Sequence, residues 1–180
     1  MKATLVRNAF FVGCFILPAL ISLPAAAETV FEFALREEGR LIPKIQKVNK
    51  KSKHRFQTTI RPSSNGQGFM IDFKFDNTHK VENAHLCSGV LILDGQKHVM
   101  ATAGGRKLVD AVWTGKTQVK RASTQILMSP ADTEKAAFAE VWHDRCPDND
   151  FLKRLEDLKR GSALATEVSA NAAIFFGGGN

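Results

Sequence analysis

Apolar and polar residues alternate along much of the first two thirds of this chain, with the period of two expected of strands that bury one face. Val30, Phe31, Phe33 and Leu35 mark a strand over 29–35 that ends at the charged turn Arg36-Glu37-Glu38-Gly39. Phe56 to Ile60 is rich in Thr and aromatic residues, and 69–75 alternates strictly, placing Phe69, Ile71, Phe73 and Phe75 on one face. Cys87 to Leu93 is a nearly continuous apolar run, and Asp94-Gly95 supplies a hairpin turn before a return strand over His98–Ala101. Further strands are expected at Lys107–Trp113 and Thr124–Met128.

The pattern changes at Ser129-Pro130-Ala131-Asp132, where a capping Ser, a Pro in the first turn and an acid three positions on predict a helix. Ala137, Phe138, Val141 and Trp142 continue at helical spacing. A second helix is predicted from Asp148 to Gly161, with Phe151, Leu152, Leu155 and Leu158 on one stripe and Lys159-Arg160 near its end. Cys146 falls in the link between the two. Ala163 to Phe176 is compatible with one or two final strands or a weak helix. The expected fold class is therefore α+β: one antiparallel sheet of about six or seven strands, with two helices from the C-terminal third packed on one face.

The first 27 residues add an address. Lys2 and Arg7, an apolar run from Ala9 to Leu23 broken by Pro18, and Ala25-Ala26-Ala27 before Glu28 form the three parts of a secretory signal peptide. The run is too short and too interrupted for a membrane anchor. Residues 1–27 are expected to be cleaved, 28–176 to form a single exported domain, and 177–180 a flexible tail. The expected location is the periplasm or the medium, with no transmembrane anchor after cleavage. Removing the leader takes two cations and no acid from a formal net charge of +7, leaving +5.

Cleavage also removes Cys14 and leaves Cys87 and Cys146, an even pair in an oxidising compartment, so a disulfide is predicted. The competing use of these residues is a metal site formed by His85, Cys87, His143 and Cys146. That set makes a periplasmic metal-binding protein an alternative, although no metal and no cofactor is expected.

Between Glu38 and Asp72 there is no acidic residue, while Lys and Arg are frequent. The dense part supplies Lys47, Lys50, Lys51, Lys53, His54 and Arg55 as the candidate anion- or partner-binding residues. Outside the cytoplasm the available anions belong to envelope components or acidic envelope proteins, and no natural nucleic-acid target is expected. A solvated loop whose charge maintains solubility is the plainer account of the same run. Trp113 and Trp142 each sit in an apolar pattern and are expected in the core.

Residues 87–105, with Cys87-Ser88-Gly89-Val90-Leu91-Ile92 and then His98-Val99-Met100-Ala101-Thr102-Ala103, resemble the segment of trypsin-like proteases that leads to the catalytic histidine. Where those enzymes carry His-Cys this chain has Gly104-Gly105, and no Gly-Asp-Ser-Gly-Gly segment follows, so the resemblance transfers no catalytic residue. Phosphate loops, nucleophile elbows, Cys-x-x-Cys pairs and His-Glu-x-x-His are absent from the sequence as well. The expected function is noncatalytic binding of an anionic envelope component or a protein partner. A small periplasmic hydrolase with scattered catalytic residues is the enzymatic alternative.

Overall fold

The structure is a computed structural model that describes residues 30–113 and 118–146, and the strand 171–176 by its backbone. The expected leader and its cleavage site, the predicted second helix and the C-terminal tail lie outside the described residues.

Two sheets carry the fold. The first has the order β1-β10-β7-β8-β11, from Val30–Ala34, Phe138–Arg145, Ala84–Leu93, Val99–Val109 and Asn171–Phe176. The second has the order β4-β5-β6-β9, from Ile45–Lys51, His54–Pro62, Phe69–Asn77 and Gln118–Ile126. A short hairpin, β2 (Arg36–Glu37) with β3 (Arg40–Leu41), links β1 to the second sheet. Among the described residues all pairings are antiparallel except that of β11 with β8.

One apolar core lies between the sheets. Phe56 and Ile60 of β5 and Phe69, Ile71, Phe73 and Phe75 of β6 meet Leu86, Val90 and Ile92 of β7 and Ala139 and Val141 of β10 in a single cluster. The four alternate residues of β6 are at most 1% exposed, as their spacing predicts. A second cluster occupies the opposite face of the first sheet, where Cys87, Leu91, Leu93 and Val99 pack with Trp142 and Cys146. β7 is therefore buried on both sides, which is why its sequence is an unbroken apolar run.

The α+β expectation is overturned: the described residues are mostly antiparallel β-sheet, with one short helix among them, α1 (Pro130–Lys135). The start signals do act, since Ser129 caps the helix by accepting a hydrogen bond from the Asp132 amide and Pro130 lies in the first turn. The chain then turns extended at Ala136 (φ −61°, ψ 118°), and the supposed stripe Phe138, Val141 and Trp142 belongs to β10. The reason is position. β10 runs between β1 and β7 and is covered on both faces, so its apolar residues follow neither face alone and imitate helical spacing.

Other boundaries shift for similar reasons. The strands expected at His98–Ala101 and Lys107–Trp113 are one strand, β8, that continues through Gly104-Gly105 opposite Gly89 and Ser88. Trp113 lies in a turn beyond it and is 72% exposed, contrary to the core placement expected from its neighbours. Trp142 is in the core as expected. The basic run is not a loop: most of it forms the hairpin β4–β5, with register Lys51↔His54 across the turn Ser52-Lys53.

Cys87 and Cys146 form the predicted disulfide. Cys146 follows β10 directly, where its amide donates to the His85 carbonyl at 2.9 Å and extends the pairing with β7. It does not join two helices. The bridge fits an oxidising environment, and among the described residues no helix is long and apolar enough to cross a membrane.

Candidate functional site: a divided basic hairpin

Strand alternation sorts the candidate cations of β4 and β5 into two groups. Ile45 points into the core, so Lys47 and Lys51 share its side of β4, whereas Lys50 points to the opposite side. Lys47 places its ammonium 3.5 Å from the centroid of the Phe31 ring, a cation–π contact. Lys51 reaches Asp144 on β10, with Nζ to Oδ1 at 2.8 Å. Both tie the hairpin to the first sheet.

His54 is buried, and its pKa is lowered by burial first and then by the neighbouring charges of Arg145 and His79, so its ring is held neutral at neutral pH. Lys50, Lys53 and Arg55 remain. All are exposed, and none has an acidic partner among the described residues. A depression of about 450 Å³ opens beside them, lined also by Val48, Asp76 and Thr78. Asp76 is buried there, with Lys74 3.6 Å from Oδ2 and no hydrogen-bond partner at Oδ1 among the described residues.

The outer face of the second sheet continues this surface. Neighbouring positions run Val48, Gln57, Lys74, Arg121 in one row and Gln46, Thr59, Asp72, Ser123 in the next. All of these but Val48, which lines the first depression, border a shallow polar cleft of about 570 Å³ together with Lys44 and Arg61. Asp72 occupies its middle, taking Arg61 at 2.5 Å and the Ser123 hydroxyl at 2.6 Å. Lys44 was legible only as a member of the acid-free basic run, and Arg121 was not legible as a site residue. Its sequence signal was the alternation of β9, where a charged outward residue faces a strand rich in Lys and Asp.

Between the sheets lies a polar cluster that the sequence does not announce. Thr58 Oγ1 is 2.8 Å from His143 Nε2 and 3.0 Å from Ser88 Oγ, and the Ser88 hydroxyl donates to the Trp142 carbonyl at 3.2 Å. With Ser88 donating to that carbonyl, Thr58 must donate to Ser88, and His143 Nε2–H to Thr58. Nδ1 then carries the bare lone pair, and it has no partner among the described residues. Burial, with Lys47 adding repulsion, pushes the His143 pKa down to about 4. Serine and histidine are thus close, but the protons run from imidazole to hydroxyls, opposite to the direction a general base requires. Among the described residues no carboxylate joins this hydrogen-bonded chain.

The metal-ligand set is likewise dispersed. Both sulfurs are in the disulfide, and His143 lies on the core side of the first sheet while Cys87 and Cys146 lie on the other. His85 Nδ1 accepts a hydrogen bond from Arg106 Nε at 2.9 Å. Among the described residues no group of His, Cys, Asp and Glu is arranged to hold a metal ion.

The class defined by this geometry is a disulfide-bridged, mostly antiparallel β protein of two sheets with a basic hairpin at one end. No protein-family model matches the chain, and it has no significant sequence similarity to a curated protein.

Proposed function

We propose that this is a noncatalytic exported protein, acting in the periplasm or outside the cell, that binds an anionic envelope component through the β4–β5 hairpin. One observation carries the reading: after Lys47 and Lys51 are engaged internally and His54 is neutral, Lys50, Lys53 and Arg55 stay exposed and without an ion-pair partner among the described residues, around one depression whose single acid, Asp76, is buried and paired with Lys74. Holding cations on a paired hairpin costs less ordering on binding than recruiting them from a loose loop. Their positive potential draws phosphate or carboxylate groups at moderate salt. The disulfide supports an oxidising, extracytoplasmic setting.

The test is co-sedimentation of the purified protein with envelope fragments of its host. K50Q/K53Q/R55Q is expected to lose retention by at least roughly tenfold, since each charge-assisted contact is worth about 1 kcal/mol or more. K44Q/R121Q, in the cleft on the outer face of the second sheet, is expected to keep it. Retention of the folded triple variant at the wild-type level overturns the assignment.

A further inference from the structure

We infer that the end of the molecule bearing the basic hairpin docks on the surface of an anionic lipid bilayer, with Trp113 and Val81 inserting at the headgroup boundary. The inference rests on the reading of the hairpin given above and names its partner.

Three connections meet at this end. The β4–β5 turn is bound to the segment after β6, because the Thr78 amide and hydroxyl both donate to the Lys53 carbonyl, at 2.9 and 2.7 Å. That segment is bound to the one after β8, because the Val112 amide donates to the His79 carbonyl at 2.8 Å. Asn77 reinforces the joint by donating to the carbonyls of Glu82, Val109 and Asp110. Trp113 and Val81 therefore sit on tied backbones beside the cations, and they are 72% and 65% exposed.

The chemistry of this rim is layered. Exposed Lys50, Lys53, Arg55 and Lys80 share these tied segments with two exposed apolar side chains. Of the acids nearby, Glu82 is paired with Arg145 and Asp144 with Lys51, which leaves Asp110 as the exposed acid of the joint. Indoles favour the membrane–water boundary, where an apolar ring meets hydrocarbon and its N–H meets water. Lysines near an anionic leaflet each add about 1 kcal/mol of attraction. A soluble polyanion offers the charge but no apolar layer for Trp113 and Val81, so the combination favours a bilayer.

The experiment uses the purified protein, sedimented with phosphatidylglycerol vesicles, with phosphatidylcholine vesicles and, separately, applied to a phosphocellulose resin. Binding to phosphatidylglycerol with a blue shift of tryptophan emission is expected, and weak binding to phosphatidylcholine. W113A/V81S is expected to weaken vesicle binding roughly tenfold while leaving resin retention unchanged, in line with withdrawing one large side chain from an apolar layer. K50Q/K53Q/R55Q is expected to weaken vesicle binding roughly a hundredfold and resin retention as well. Unfolding is monitored by circular dichroism, and W113F, which keeps an aromatic ring at that exposed site, is expected to restore part of the lost binding. Resin retention without vesicle binding overturns the bilayer and leaves the hairpin reading standing. Absence of both overturns the two together, and vesicle binding unchanged in W113A/V81S overturns insertion.

Discussion

His143 couples the fold to pH. Its ring stacks on Phe56 with centroids 5.2 Å apart, and burial holds its pKa at about 4 against an ordinary 6.5. The unfolded chain therefore binds an extra proton between these values. The contribution to stability is whole above pH 6.5 and is lost as pH falls toward 4, by about 3 kcal/mol at full extent. Between pH 7 and pH 4.5 the wild type should lose about 2 kcal/mol more than H143Q in urea unfolding, a comparison that cancels the carboxylates common to both. Parallel losses in the two proteins would contradict a neutral, buried imidazole. Gly89 makes a second residue-scale claim: a Cβ there would run into the indole of Trp142, its cross-strand partner. G89A should cost about 1–3 kcal/mol, read as a lowered denaturant midpoint. Neither residue's contacts were legible beforehand, because Thr58 and Ser88 meet His143, and Gly89 meets Trp142, only through the pairing of β10 with β7 and the packing of the sheets.

At the scale of elements, local chemistry and environment divide the outcome. Turn and cap signals are local and were readable: Ser129 and Pro130 start α1, and the β7–β8 connection turns at Asp94, whose carboxylate accepts from the Gln96 and His98 amides. The β6 face was readable because only one side of that strand is buried. β10 was not, because burial on both sides erases the period of two that distinguishes strand from helix. β4 escaped for the opposite reason: among its residues only Ile45 is buried, and of the other inward positions Asn49 is polar and Lys47 and Lys51 are held through Phe31 and Asp144. The disulfide was predictable from compartment and parity of cysteines, and its effect belongs to this scale too. It closes 59 residues between two strands already paired, so C87S/C146S should lose about 4 kcal/mol in the chain-entropy account. Equal denaturant midpoints for the bridged and double-serine proteins would contradict that account.

On the scale of the molecule, the two sheets segregate roles. The space between them is filled with Phe, Ile, Leu and Val and one hydrogen-bonded polar chain, while the outer face of the second sheet and its hairpin end carry the unpaired cations. The basic segment was legible as a charge run, but its division into internal anchors and free cations needed the register of β4 on β5. The most direct test of the central claim is a hydrogen-exchange footprint of the protein bound to envelope fragments. Protection confined to the amides of residues 50–55, 78–83 and 110–113 is the predicted result. Protection on β9 around Arg121, or at the β1 edge, with the hairpin end unchanged, would contradict the account.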